Sequence, residues 1–183
     1  FTTSLPYTPI ALVNRVNYSG IPWVDKGDWQ AAADIQFALP VAADLQVSSI
    51  TFDTITKAGT LNFTSTFLTT SSSDYSLVVY LTQDSIVDWQ VNGPSAVGDP
   101  AYPLNQDVSF YVHRHVFRGC LTPDAYGVSI ITGGVVIDQQ FSNSVVFDLD
   151  AMTFPTDAPA LNMKHLAIVA YIYDVSTKEI IQV

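Results

Sequence analysis

LAIVAYIY, Leu166 to Tyr173, is the longest apolar run in the chain, and its reading decides the fold class. It is far short of the roughly 20 residues a helix needs to cross a bilayer. It suits a strand, and apolar side chains on both faces require cover on both. A charge placed there, as in Val169→Asp, is expected to cost about 3–5 kcal/mol, the scale for an uncompensated buried charge. SLVVYL, Ser76 to Leu81, has the same character. LNFTSTF, Leu61 to Phe67, instead alternates apolar and polar residues, as a half-buried strand does. Transmembrane-barrel strands alternate throughout, so the mixture points to a two-sheet sandwich.

Working outward, everything after Pro40 has β texture, rich in Val, Ile, Thr, Tyr and Phe between clusters of Gly, Ser, Asp and Pro. Strands are expected near Asp44–Asp53, Gly59–Thr69, Tyr75–Asp84, Asp107–Thr122, Gly127–Thr132, Val135–Asp138, Ser142–Asp150, Lys164–Tyr173 and Glu179–Val183. Gly133-Gly134 and the DVSTKE segment read as hairpin turns. The longest irregular loop is expected from Val91 to Gln106. Before Pro40, the spacing predicts one helix, Asp28 to Leu39, capped by Asp28 or Gly27 and stopped by Pro40. Trp29, Ala32, Ala33 and Phe37 would share much of one face. PIALVNRV would be a short buried strand ending in the turn NYSG. The expected architecture is mainly β: an immunoglobulin-like antiparallel β-sandwich over residues 41–183, with a strand–turn–helix appendage over 1–40.

The 183 residues fit one domain, or one domain and an appendage, and at 48% hydrophobic and 13% charged they can bury a full core. Seven basic against seventeen acidic residues give a net charge of −10, which argues against nucleic acid or an anionic membrane surface as partner. Cys120 stands alone, so no intrachain disulfide or CxxC pair can form. The first nine residues lack the basic and apolar regions of a secretory signal. A chain opening without methionine is expected to be processed or trimmed.

Chemistry-bearing residues concentrate in YVHRHVFRGC, Tyr111 to Cys120. On a continuous strand His113 and His115 would face one way, their Cα atoms about 6.8 Å apart, and could straddle a metal. His165 or an aspartate would have to complete the site, but nothing local supplies a third ligand, so the pair reads as structural and no metal is expected. Arg114 and Arg118 would share the opposite face and meet carboxylates, within the domain or across an interface. Cys120 reads as a small buried residue rather than a nucleophile. In LTQDSIVDWQ, Leu81 to Gln90, Asp84 and Asp88 sit beside Trp89 and Gln90. Paired acids near a tryptophan are found in sugar-processing proteins, but a turn with solvated acids is the plainer reading. No phosphate-binding loop, dinucleotide fingerprint, zinc-protease helix or hydrolase nucleophile elbow is present.

VYLTQDSIVDWQ, then YVHRHVFRGCLT with YG following, then HLAIVAYIYDVSTKEIIQV together resemble the 28-kDa outer membrane protein family of Gram-negative bacteria. The family pattern has an apolar strand running into "ED-x-I-V-x-x-Q", a "Y-x-H-N-H-V-L-R" strand, and a close on "V-A-F-V-Y-[x]-x-T-K-E-V-L-Q-A". Here Gln83 replaces Glu, Arg114 replaces Asn and Phe117 replaces Leu. The match is collinear from about Leu77 to Val183. The resemblance implies an envelope lipoprotein whose lipid anchor lies outside this chain, and it brings no catalytic residues. Family members join a thioredoxin-like half to this β-rich half. YTPIALVNRVNYSG and the Trp29 helix are similar to the end of that fold, with Pro9 as its cis-proline.

The functional expectation is a non-enzymatic interaction or support module of a bacterial cell envelope, without cofactor. Its partner would be a protein or the upstream thioredoxin-like half. A carbohydrate-binding module using Trp89 and Tyr102 is the alternative, and a metal-dependent hydrolase at His113 and His115 a third.

Overall fold

The computed structural model describes residues 10–91, 107–154, 156 and 158–183. Pro9, Tyr102 and almost all of the expected 91–106 loop lie outside the described residues. Of the described residues 51% are strand and 8% helix, the mainly β composition expected. In chain order the elements are β1 (Ile10–Ala11), β2 (Val24–Asp25), α1 (Trp29–Phe37), β3 (Ala43–Phe52), β4 (Ala58–Phe67), β5 (Tyr75–Gln83) and β6 (Ile86–Val91). Then follow β7 (Asp107–His113), β8 (Val116–Cys120), β9 (Val128–Ile131), β10 (Gln140–Asp148), a 3-10 turn at Met163–His165, β11 (Leu166–Asp174) and β12 (Ile180–Gln182).

Strand β4 buries Leu61, Phe63, Ser65 and Phe67 and half-exposes the residues between them, so its alternation becomes the pleat of a one-sided sheet. That sheet is β10–β4–β3, antiparallel throughout. The facing sheet runs β12–β11–β5–β8, with β9 also pairing β5. Strands β9 and β8 share one edge of β5, at Tyr75–Leu77 and Tyr80–Gln83 respectively, because β11 occupies the other. The core between the sheets is made by Leu61, Phe63, Phe67, Val145 and Phe147 from one side, and by Leu77, Val79, Leu81 and Ile172 from the other. This is the expected sandwich.

The second sheet also has an apolar back. Val78, Tyr171 and Tyr173 form a separate cluster there, with Tyr80, Val175 and Ile180 packed against it. The N-terminal segment docks on this back face. The Arg15 guanidinium lies 5.0 Å from the Tyr171 ring centre and donates to its hydroxyl at 2.6 Å. Asn14 accepts a hydrogen bond from the Ile180 N–H at 2.8 Å.

Several expectations need correction. The strand buried on both faces along its length is β5, not β11. Strand β12 pairs β11 only at Ile172 and Tyr173, so Val169 sits half-buried on a stretch with one partner strand among the described residues. The helix is shorter than expected and buries Ala32 alone, while Phe37 is exposed and the Trp29 indole N–H donates to the Val24 carbonyl. PIALVNRV yields the two-residue β1, which pairs the unexpected β2. Gly133 and Gly134 do take the positive φ of a turn, but Val135 then makes one bridge to Ser71 instead of a strand. The DVSTKE hairpin forms as expected between β11 and β12.

Two stability outcomes follow from this packing. The Ser65 hydroxyl is buried in the core with no hydrogen-bond partner, and an unpaired buried polar group costs about 1–3 kcal/mol. Ser65→Ala is therefore expected to raise the melting temperature by about 2–4 °C per kcal/mol recovered. Ile172→Asp, at a position with no exposed surface, should cost at least about 3–5 kcal/mol. Val169→Asp should cost clearly less, since its carboxylate can reach water; denaturant titration of both variants checks the order.

Candidate functional site

Strand β5 does not end the hairpin it belongs to. After Asp84 and Ser85 the chain runs on as β6, and returning β7 breaks at Arg114 and His115 before it continues as β8. Strand β6 pairs β7 and β5 pairs β8. The four strands are thus one long hairpin, bent at a single level. Each kink takes left-handed backbone, at Ser85 (φ 59°) and His115 (φ 53°), which non-glycine residues seldom adopt. Asp84 fastens the bend. Its Oδ1 accepts the His115 backbone N–H at 2.5 Å and lies 3.3 Å from the His115 Nδ1. The Asp84 N–H in turn donates to the His165 carbonyl at 2.9 Å.

This break separates the two histidines that one continuous strand would have aligned. His113 is half-buried, its Nε2 3.2 Å from the Trp89 carbonyl oxygen and its ring edge-on to Tyr111. The His115 side chain is 80% exposed at the bend. Among the described residues no three His, Cys, Asp or Glu side chains gather as a metal site would require.

The arginines part company too. Arg114 is exposed at the break. Arg118 is the extra residue of a bulge, where pairing passes from Thr82↔Phe117 to Leu81↔Gly119. It is only 8% exposed, and its Nη2 donates to the Pro159 carbonyl at 2.5 Å beneath the Phe154 ring. Within the domain it meets no carboxylate among the described residues, where the acid–base contacts are Lys57–Asp150 and the His115–Asp84 contact. Gly119 belongs to the same bulge, and a Cβ there would come within 2.3 Å of the Met152 side chain.

Beneath the ribbon opens a cleft of about 490 Å³, between β6–β7, β8 and the residues Thr153, Phe154, Ala158 and Pro159. It brings together Asp88, Trp89, His113 and Arg118 from the sequence-predicted set, with Phe117 and Phe154 added. Gln90 lies on the ribbon and donates to the Val91 carbonyl. The Asp88 carboxylate accepts the Trp89 N–H. Phe154 was out of reach of sequence reasoning because it arrives from a segment about 40 residues away in sequence. Cys120 is half-buried, and burial, followed by the charge of Asp124, pushes its thiol up, away from the reactive thiolate. One guanidinium, one carboxylate, one imidazole and three aromatic rings make a surface suited to binding.

No protein-family model matches the chain, and no curated protein matches it. Two solved structures resemble it. HBP35 of Porphyromonas gingivalis shares 17% identity at a TM-score of 0.54, over 83% of this chain and 44% of that one. A domain of the outer membrane lipoprotein Omp28 from the same organism shares 16% at 0.41, over 79% and 86%. The likeness to HBP35 is one of fold, and this chain spans less than half of HBP35's length. The Omp28 domain superposes loosely.

The bend makes its own prediction. Asp84→Ala removes the acceptor of the His115 N–H and should cost about 1–2 kcal/mol. His115→Gly loses an exposed imidazole–carboxylate contact worth under about 1 kcal/mol but relieves the left-handed backbone. Its melting temperature should stay within about 2 °C of the parent, whereas His115→Val should fall well below it.

Proposed function

We propose that the chain is a non-enzymatic interaction module of a bacterial cell envelope, and that the outer face of the β6–β7 ribbon docks a protein partner. One observation carries this. Val87, Trp89, Val91, Phe110 and Val112 are all exposed on a two-stranded ribbon, with Val87 and Val112 directly paired. A soluble monomer seldom leaves so many large apolar side chains together in water, and burying each against a partner is worth about 1.5–3 kcal/mol. The envelope reading rests on the collinear resemblance. The resembling segments are β5–β6, β7–β8 and β11–β12, which are neighbours in space. We read residues 1–40 as the end of a thioredoxin-like half, and the antiparallel pair β1–β2 followed by α1 supports this. A carbohydrate-binding role is the second reading, favoured by the 64% exposure of Trp89 beside Asp88 and Gln90.

Fractionation of cells producing the native protein should recover it with the outer membrane; recovery in the cytosol would overturn the envelope reading. The double variant Phe110→Ser, Val112→Ser should melt within about 2 °C of the parent, as exposed substitutions do. It should lose the cross-linked species that the parent forms in intact cells. Unchanged cross-linking would remove the ribbon from the interface. A glycan array bound by the parent but not by Trp89→Ala would favour the sugar reading.

A further inference from the structure

Arg118 poses a question that the ribbon does not answer. A guanidinium carries five N–H donors and no acceptor. One donor reaches the Pro159 carbonyl, and the Phe154 ring lies 4.9 Å from the guanidinium carbon. Such a buried cation ordinarily meets a carboxylate, yet no ion pair among the described residues includes it. Its other nitrogens are nevertheless not sealed away. The Ser65 hydroxyl is the one fully buried side-chain polar atom without a partner among the described residues. The remaining Arg118 donors therefore keep contact with solvent, and Arg118 is among the residues that line the cleft.

We propose that this cleft is a binding site for an organic carboxylate with an apolar or aromatic body, with Arg118 as the partner of the anion. The acid group fits the unfilled donors of a guanidinium, which bind carboxylates through parallel N–H bonds. The body fits the walls: Trp89 on the ribbon, Phe117 on β8 and Phe154 on the crossing segment. A volume of about 490 Å³ admits a side-chain-sized body with room to spare. Asp88 also lines the cleft, so a monoanion is favoured over a dianion, whose second charge it would repel. Chemically, the ligand is either the C-terminal carboxylate of a peptide ending in an apolar residue or a free aromatic or branched acid. The site lies on the cleft side of the ribbon and shares only Trp89 with the proposed docking surface.

The test is a titration of the intact protein, followed by backbone amide NMR shifts, with N-acetyl-phenylalanine, 3-phenylpropionate and the matching amide, 3-phenylpropionamide. The proposal expects saturable shifts at Phe117, Arg118 and Phe154 with a Kd of about 1 mM or tighter. The carboxylates should bind at least tenfold more tightly than the amide. The tighter of the two acids separates a peptide C terminus from a free acid. Arg118→Gln should abolish the preference for carboxylate; if that variant does not fold, the acid–amide comparison on the parent still decides. Equal binding of acid and amide, no saturation, or retained preference in a folded Arg118→Gln would overturn the proposal.

Discussion

Strand β5 has to be dry on both faces, and the rest of the molecule is arranged to keep it so. Leu77, Val79 and Leu81 enter the core between the sheets, while Val78 and Tyr80 belong to the back. The first set is covered by β4 and β10 through Phe63, Val145 and their neighbours. The second is covered by no facing sheet among the described residues. It is closed by Tyr171 and Tyr173 of the adjacent strand, and Arg15 stacks across these rings. The N-terminal segment thus completes the burial of a strand more than 60 residues downstream of it. An apolar strand without this cover would expose aromatic surface to water, at a cost that scales with the area left uncovered.

The same constraint explains where the exposed apolar surface lies. Burial of β5 lasts to Gln83, which is itself buried with its side-chain oxygen accepting the Asn162 N–H. Past that level no strand among the described residues faces the hairpin. The Asp84–His115 latch bends it there, and β6–β7 leaves the sandwich with its inner side over the cleft and its outer side in water. A ribbon of two strands has no core of its own, so its side chains must be covered by something else or stay wet.

How much of this was legible in the sequence depended on how local the cause was. The alternation of Leu61–Phe67 and the continuous apolar run Ser76–Leu81 are properties of one strand each, and both read correctly. So did the β11–β12 turn, whose cause is the Asp174 carboxylate: it accepts the Ser176 N–H and hydroxyl and the Thr177 N–H. Burial pushes that carboxyl up, but these bonds outweigh burial and leave it below the usual carboxylate range. The break at Arg114–His115 was not legible, because the acceptor holding it, Asp84, is 31 residues away. Strand β6 was hidden by its acids, since Asp84 and Asp88 looked like a solvated turn. The helix's apolar face was legible, but periodicity marks which residues could be buried, not whether anything arrives to bury Phe37.

The site shows the same division in sharper form. The residue types were visible, and Asp88, Trp89, His113 and Arg118 do meet at one cleft. Their orientations were not, because one inserted residue reverses every face beyond it. The bulge at Arg118–Gly119 turns the arginine from a strand face in water to the end of the sandwich, under Phe154 and Pro159. There its planar head can stack on a ring, reach a carbonyl and still present donors to the cleft. An ammonium could make the carbonyl contact but not the flat stacking, and its compact charge would be costlier to desolvate. A chain with a net charge of −10 supplies a favourable field for a cation held this way. That field steadies the guanidinium without filling its donors, so the surplus hydrogen-bonding capacity sits where an apolar-walled cleft meets solvent.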